Sequence, residues 1–492
     1  MKSKFLWGSA ILCCALGLGT VSCSDDDDKE FSIDETFTTK GIETDYEGGI
    51  YKIQVKGNSE WEATSDARWV NVVVKHGKGG QEAVILVEST FDGISRNANI
   101  IIKSGSDQFQ IPVNQIVSKD NATEGMEVVL SKGLGMGYDV SKLTYKPSCI
   151  INTAAIEAVM DWNSMRYGTL LKDNYRSELE AELVSTDSVE SKHDSLGVQI
   201  SCTIAYGTFK FGVSGKIHNG EDRKSDVDRF NFAANYPLYT GTVNLAGVMS
   251  AYNAWKRENC PEVDSKGAAD YRGYLLEGDF IDKMEALEAA CDEGKVNATN
   301  YKNYSKVVNL CQQIVSMYGP VTISKATIGG CYMLQADLDT TWTHENFAID
   351  NATVTAAFKA GVFELDAKVS VTYEKIMTES LKHGTYNTLL KGGKLDDQVG
   401  VQNALYDGTC FTDKTSLKTW AKGLKIAKDK KNNAELIEVD LMGIWTLLGT
   451  NSQAVMKQYL ADTPSMAKNE LVRPLLISEG VIEEEVKKET TK

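Results

Sequence analysis

The amino-acid sequence predicts two folded regions, an all-β sandwich followed by a larger α+β domain built on a bent antiparallel sheet with flanking helices. Three observations support this fold class. Short alternating runs separated by glycine pairs fill residues 33–117. Two longer alternating segments, 198–213 and 354–373, change the parity of their apolar residues midway, which indicates bent strands. Amphipathic helical patterns occupy residues 279–318, between those two segments.

Length and composition limit the possible protein classes. A chain of 492 residues corresponds to two to four domains at roughly 100 to 200 residues each. Hydrophobic residues make up 42% and charged residues 24%, which is ordinary globular composition and excludes disorder as the dominant state. The net charge of -16 argues against a nucleic-acid partner, which needs a basic face. The 5 histidines lack metal-ligand spacing, so we expect no metal site and no cofactor.

Residues 1–22 resemble a bacterial lipoprotein signal peptide. Lys2 and Lys4 precede an apolar run over residues 5–18, which is shorter than the roughly 20 residues that a membrane-spanning helix needs. The sequence from Thr20 to Cys23 then resembles a lipoprotein cleavage box, although Thr20 stands where an aliphatic residue is usual. We therefore predict lipidation at Cys23. A transmembrane helix is the alternative interpretation.

An acidic run follows the predicted lipid site, and residues 23–32 are interpreted as a solvated tether. The run also resembles the signal that sends Bacteroidetes lipoproteins to the outer face of the outer membrane. The expected localisation is thus a surface-exposed lipid anchor on the outer membrane, and release or carriage on vesicles remains an open alternative.

The cysteines beyond Cys23 are scattered, odd in number and without a C-x-x-C pair, so neither a disulfide framework nor a zinc site is expected. They are Cys149, Cys202, Cys260, Cys291, Cys311, Cys331 and Cys410.

Residues 33–117 resemble the BACON domain, an immunoglobulin-like module common near the N-termini of Bacteroidetes surface proteins. The resemblance rests on Gly48-Gly49, Trp61, Trp69, Arg96 and a closing glutamine, in that order. It implies binding of carbohydrate or mucin, with Trp61 and Trp69 as possible glycan contacts. Two other interpretations stay open, because a tryptophan in a sandwich is more often a core residue and the domain could be a spacer.

Two helices are predicted between the bent segments. The first begins with Asp279 as its N-cap, and the second leads directly into the next motif. Their apolar stripes are Phe280, Met284, Leu287 and Cys291 in the first helix, and Tyr304, Val308, Cys311, Val315 and Tyr318 in the second.

The second helix leads into a motif that resembles the signature of the membrane attack complex/perforin (MACPF) family, roughly [YW]-G-[TS]-H-[FY]-x₆-G-G. Tyr318, Gly319, Gly329 and Gly330 match it, whereas residues 320–322 depart from its polar and aromatic positions. Within the family, the chain most resembles the secreted antimicrobial proteins of gut Bacteroidales. The resemblance covers residues 126–462, leaves 463–492 as a C-terminal tail, and implies a bent four-stranded antiparallel sheet with flanking helices.

The family resemblance also implies a function. A protein of this kind binds a target cell surface, assembles into a homo-oligomeric ring and inserts β-hairpins, here from about residues 207–235 and 337–358, into the target membrane. Implied partners are that membrane and a surface receptor, which could be an outer-membrane protein, lipopolysaccharide or a glycan. We therefore expect an antimicrobial pore-former without enzymatic activity, and no sequence motif singles out a catalytic residue. The alternative is a non-lytic surface lipoprotein that binds a glycan or host surface through the same two folds.

Overall fold

A computed structural model describes most of both predicted regions. The described residues are 31–46, 48–90, 94–116, 133–142, 144–158, 167, 169–175, 180–185, 227–260, 262–263, 267–339, 384–406, 419–420, 423–424 and 433–483. Several predictions concern residues outside these ranges: the signal peptide, Cys23, nearly all of the tether, and the alternating segments 198–213 and 354–373.

The first domain consists of two sheets and one short helix. Its elements are β1 (Ser32–Ile33), α1 (Glu35–Thr39), β2 (Ile42–Thr44), β3 (Gly49–Lys56), β4 (Glu60–Ser65), β5 (Val70–Val74), β6 (His76–Lys78), β7 (Glu82–Val87), β8 (Arg96–Ser104) and β9 (Asp107–Gln115). One sheet has the order β1-β3-β7-β5 and the other β2-β9-β8-β4-β6.

Both sheets contribute to one apolar core. Ile53 and Val55 from β3 join Ile100 and Ile102 from β8, and all four are fully buried. These residues occupy alternate positions of their strands, as expected for strands with one face towards a core. The region is therefore mostly β, as the sequence predicts.

The second domain combines a large sheet with helices. Its strands are β10 (Met136–Asp139), β11 (Thr144–Cys149), β12 (Leu171–Tyr175), β13 (Glu180–Ser185), β14 (Val227–Val243), β15 (Val321–Asp339), β16 (Gly384–Lys391) and β17 (Glu435–Gly443). Its helices are α2 (Leu245–Arg257), α3 (Gly278–Gly294), α4 (Ser305–Tyr318), α5 (Leu395–Tyr406), α6 (Thr450–Asp462), α7 (Pro464–Ala467) and α8 (Arg473–Ser478).

Within the residues that the structure describes, the large sheet contains eight strands, whereas the family resemblance implied four. The two numbers agree for most of the sheet when strands that lie end to end are counted as one position. The long strands β14 and β15 pair antiparallel through most of their length, and each has two shorter strands end to end on its outer side. The sheet is thus four positions wide in this part. β10 pairs with the first two residues of β15, and β11 pairs with β10.

The long strands that the structure describes are β14 with 17 residues and β15 with 19. The alternating segments 198–213 and 354–373 lie outside the described residues, so their prediction as bent strands is not tested. β14 contains Pro237, which normally argues against an interior strand because proline lacks a donor for the ladder. A register shift between Pro237 and Tyr239 accommodates it.

The helices α3 and α4 pack against each other, and α4 also contacts β10 and β11. The predicted stripe of α3 is confirmed, since Phe280, Met284, Leu287 and Cys291 are buried. The helix begins at Gly278 with Glu277 at the N-cap position, two residues before the predicted Asp279.

The stripe predicted for α4 is partly wrong. Val307, Cys311, Ile314 and Tyr318 are its buried residues, whereas Tyr304 is 37% exposed. The apolar positions of this helix offer two overlapping stripes, and contact with its neighbours decides which one faces the core.

The segment interpreted as a C-terminal tail packs onto the second domain as far as residue 483. Leu471, Val472 and Leu476 belong to the core of that domain. Lys457 of α6 also forms an ion pair with Glu479, with 2.6 Å between Nζ and Oε2.

In the part of the chain that the structure describes, no helix is both long and apolar enough to cross a membrane.

Candidate functional site

The first two signature residues join α4 to β15 by a tight contact. Tyr318 is buried and its ring stands edge-on to Phe280, with 5.1 Å between ring centroids. Gly319 has φ +80°, which ends the helix in a conformation that favours glycine. A Cβ at Gly319 would also collide with the carbonyl oxygen of Tyr138 in β10. The motif therefore fixes the point where β15 enters the sheet.

The other two signature residues, Gly329 and Gly330, lie inside β15 where its outer neighbour changes. β15 pairs with β17 as far as Gly329 and with β16 from Cys331 onwards. The opposite side changes at the same level, because Gly329 pairs with Pro237 at the register shift of β14.

The outer neighbour of β14 also changes at this level. β12 ends with Tyr175 opposite Tyr239, and β13 begins with Glu180 opposite Asn235. At each of the four strand positions across the sheet, a strand ends or its register shifts at this same level. The line across the sheet at this level separates a body half (β12, 239–243, 321–329 and β17) from a hairpin half (β13, 227–236, 331–339 and β16).

Glycines permit close packing at this line, which we call the glycine corner (Gly329, Gly330, Gly392 and Gly393). A Cβ at Gly330 would lie 2.7 Å from Cζ2 of Trp420 and would also overlap Leu424. Trp420 is 4% exposed and Leu424 is fully buried. These two side chains form the cover of the corner.

Gly392 and Gly393 follow β16 with φ values of +73° and +83°. A Cβ at Gly392 would lie 2.5 Å from the carbonyl oxygen of Gly329, so the turn and β15 are in direct contact. The indole N–H of Trp420 donates to the Gly392 carbonyl oxygen at 2.8 Å, and Gln398 Nε2 donates to the same oxygen at 2.8 Å. The cover is thus attached to the corner by packing and by a hydrogen bond.

Both hairpins of the hairpin half point away from the corner at the same end of the sheet. Ser185 pairs with Phe230 at the end of β13, and Leu338 pairs with Gly384 at the end of β15. The connections 186–226 and 340–383 start there and lie outside the described residues. The insertion segments predicted at 207–235 and 337–358 overlap the hairpin half, since residues 227–235 and 337–339 are already β-strand.

Polar side chains that sequence reasoning missed link the strands of the body half. Lys325 Nζ lies 2.7 Å from Glu438 Oε1 and 3.9 Å from Asp440 Oδ2. Burial raises the pKa of Asp440, although Lys325 opposes that shift. The hydroxyls of Thr240 and Thr327 lie 3.1 Å apart between β14 and β15. Each of these side chains lies inside a strand pattern, and only strand pairing brings them together.

In the first domain, the two tryptophans singled out from the sequence have packing roles. Trp61 is 3% exposed and its indole N–H donates to the Lys78 carbonyl oxygen at 3.0 Å. Trp69 is half-buried, and the guanidinium carbon of Arg96 lies 4.4 Å from its ring centroid. Trp61 therefore has no open ring face, and Arg96 covers one face of Trp69. A glycan role for either residue stays a prediction.

Within the described ranges, no group of three or more His, Cys, Asp and Glu side chains could hold a metal ion. The cysteines that the structure describes form no disulfide: Cys149, Cys260, Cys291, Cys311 and Cys331. Burial raises the pKa of Cys291 to about 11 and that of Cys311 to about 12, so both thiols are neutral at physiological pH.

Comparison with known families identifies one part of the chain. Residues 59–115 match the BACON family, described as "Putative binding domain, N-terminal". The first domain carries a BACON module. The match lies within the predicted range 33–117, and the two BACON sheets also include β1, β2 and β3, which precede it.

Several solved structures that match about two thirds or more of this chain are perforin-like proteins. GNIP1Aa from Chromobacterium piscinae is 14% identical, with 69% of this chain and 56% of that one covered at a TM-score of 0.43. A MAC/Perforin-domain protein from Bacteroides thetaiotaomicron is 12% identical, with 66% and 59% covered at 0.34.

A third neighbour is the human-specific toxin intermedilysin, 11% identical, with 85% and 66% covered at 0.24. This chain spans less than two thirds of the length of the first two neighbours. No curated protein matches it.

Proposed function

We propose that this protein is a non-enzymatic pore-former of the MACPF type. On this proposal the first domain is an immunoglobulin-like sandwich and the second carries the bent four-position sheet of the family. The observation that supports it best is the glycine corner, where every position of the sheet is interrupted or shifted along one line. Two hairpins project together beyond that line, so they can move as one unit relative to the body half.

The physics of membranes explains why such a unit suits pore formation. In hydrocarbon every backbone N–H and C=O must be paired, so strands can enter only when neighbouring strands satisfy them. A spanning strand needs about 9 to 11 residues. β15, with 19 residues, is long enough to contribute one such stretch beyond the corner while its first half stays in the body. Several protomers side by side would supply the remaining hydrogen bonds.

Our proposal assigns the target as the surface of related bacteria, with an outer-membrane protein, lipopolysaccharide or glycan as receptor. The perforin-like neighbours support membrane targeting in general terms. Antimicrobial action, ring assembly and receptor class are parts of the proposal, and the BACON module is the part of the chain assigned to glycan or receptor binding.

A disulfide lock tests whether the hairpin half must move. In a Gly330→Cys, Leu424→Cys variant with Cys331 replaced by Ala, the two new cysteines join the corner to its cover, because a Cβ at residue 330 would touch the Leu424 side chain. Leu424→Cys removes the methyl groups that a side chain at residue 330 would overlap, but the new Cβ still lies 2.7 Å from Trp420 Cζ2. We therefore expect the oxidised form to release no dye from target-cell membranes or their liposomes, and reduction to restore part of the release.

The matched control places a disulfide inside the body half. A Thr240→Cys, Thr327→Cys variant replaces two hydroxyls 3.1 Å apart on neighbouring strands without crossing the corner. Its oxidised form should release dye as well as its reduced form. Dye release by the oxidised corner lock would contradict the proposed movement. If no form releases dye while binding to target cells persists, the non-lytic alternative takes the place of the pore.

The proposed anchor is tested separately at Cys23. A Cys23→Ala variant should lose metabolic acyl labelling and appear in the soluble fraction, because the thiol is the only acceptor that the lipoprotein box offers. Cys260→Ala, which removes an exposed cysteine of the second domain, should keep the label. Label that persists in Cys23→Ala would overturn lipidation at this residue.

A further inference from the structure

Two carboxylates are buried where the first domain meets the second. Glu88, just after β7, is 4% exposed, and Glu277, just before α3, is 7% exposed. The Ser89 hydroxyl donates to Oε1 of Glu277 at 3.2 Å. The backbone N–H of Gly278 donates to Oε1 of Glu88 at 3.0 Å. Each carboxylate therefore accepts a hydrogen bond from the opposite domain.

Glu88 caps helix α3 across the domain boundary. The helix receives no side-chain cap from its own N-cap residue, Glu277. The backbone N–H of Gly278, the first residue of the helix, donates instead to Glu88 Oε1. The same oxygen also accepts a hydrogen bond from Asn71 Nδ2 at 2.6 Å. An anion at this end of a helix is favoured by the unpaired amides and by the helix dipole. The hydrogen bond that caps the helix therefore forms only when the two domains are docked.

The surroundings of Glu277 favour the protonated, neutral form of its carboxyl group. Burial is the main cause that raises the pKa of Glu277 well above its ordinary value of 4.5, and the neighbouring Glu88 carboxylate adds to it. Arg96 and the Ser89 hydroxyl oppose the shift. The Arg96 guanidinium donates to the carbonyl oxygens of Glu88 and Ser89 at 3.0 and 3.2 Å.

Other charged or titratable groups face this contact from both domains. Asp279 and Asp282, in the first turns of α3, both pair with Arg68 of the first domain. Tyr318 at the end of α4 lies near enough that Glu277 and Glu88 both raise its pKa, although burial is the main cause. Cys149 of β11 contributes to the same shift.

The rim of the interface carries further charged or ionisable side chains. His76 Nε2 lies 3.8 Å and Lys75 Nζ 3.5 Å from the Glu262 carboxylate. Apolar contact joins the domains between these polar groups, because Val73, Val84 and Leu86 of the first domain belong to the core cluster of the second.

We propose that the interface between the BACON-bearing domain and helix α3 is a proton-operated latch, in which Glu277 holds a proton between itself and Glu88 while the domains are docked. Release of that proton leaves two buried like charges facing each other, which drives the domains apart at this contact. The latch does not depend on whether the second domain forms pores.

The direction of the pH effect follows from linkage. Well below pH 4.5 Glu277 is protonated in the docked and the open state, so its contribution to docking is fully present. As pH rises above that value, the open state loses the proton first because its pKa is the ordinary one. The opening constant then increases about tenfold per pH unit until the raised pKa of the docked state is passed. Acid therefore closes the latch and neutral pH loosens it.

Hydrogen exchange of the full-length protein tests the latch. The Gly278 amide is the reporter, since it donates to Glu88 only in the docked state. Between about pH 5 and about pH 7, after correction for intrinsic base catalysis, we expect its opening constant to rise with a slope of up to about tenfold per pH unit. A Glu277→Gln variant, which is neutral at every pH, should remove that slope and stay protected.

Three further variants keep the test decisive. Glu293→Gln changes an exposed carboxylate at the other end of the same helix and should behave as wild type. His76→Gln should retain most of the slope, because it removes only the rim pair. Glu88→Gln removes the facing charge and lowers the raised pKa of Glu277, so the opening constant should stop rising at a lower pH than in the wild type; this variant serves as the second test if Glu277→Gln fails to fold. A flat wild-type profile, or a slope retained in Glu277→Gln, would overturn the latch.

Discussion

Replacing Trp420 by Ala is expected to lower the free energy of unfolding of the second domain by about 4 kcal/mol. Trp420 is 4% exposed, and its ring packs against the glycine corner at Gly330 and Gly393. Removing the ring leaves a cavity and also removes the indole donor to the Gly392 carbonyl oxygen. Urea denaturation followed by circular dichroism measures the loss.

A conservative substitution separates the contribution of the ring packing from that of the indole hydrogen bond. Trp420→Phe keeps much of the ring volume and removes the N–H, and Gln398 still donates to the Gly392 oxygen. We expect this variant to lose about 1 kcal/mol. A Trp420→Ala variant with wild-type stability would show that the cover does not hold the corner, and the movement proposed for the hairpin half would lose its structural basis.

The second large effect is expected from Gly330→Val, which should destabilise the second domain by about 3 kcal/mol and abolish dye release while leaving the first domain folded. A valine side chain at this position would overlap Leu424 and approach the rigid ring of Trp420. The strand cannot move away, because Gly330 is paired with Tyr236 of β14 and is followed by the β16 pairing at Cys331.

Gly400 provides the matched control. It lies in α5, and a Cβ there would meet no atom within 4 Å. Gly400→Val should therefore be neutral or slightly stabilising, since glycine is a poor helix former. Calorimetry of both variants, with limited proteolysis to monitor residues 33–117, measures the contrast. Full stability and activity of Gly330→Val would remove the reason for aligning Gly329 and Gly330 with the family signature.

Local sequence patterns predicted some elements well. The stripe of α3 was predictable because Phe280, Met284, Leu287 and Cys291 follow helical spacing and face one core. The first domain was predictable as β structure from its alternating runs and glycine pairs. The structure places the signature glycine Gly330 and the later Gly392 where neighbouring chains approach too closely for a side chain, and their match to the family signature stays a prediction.

Strand positions in the second domain were harder to predict. β14 contains Pro237 and β15 contains two consecutive glycines, and both features argue locally against long strands. Pairing with neighbours on both sides outweighs those local preferences, because each strand gains a continuous ladder of hydrogen bonds from partners distant in sequence. The local sequence pattern of a strand does not show which distant segments pair with it.

The sequence by itself determined the BACON resemblance, the β structure of the first domain and the helix before the signature, because each depends on residues close together in the chain. Only the tertiary structure decided that Trp420 covers the corner, that residues 463–483 pack onto the second domain, and that Glu88 meets Glu277. These contacts join residues that are far apart in the sequence. Their energies depend on burial and on partner charges, which arise only when the chain has folded.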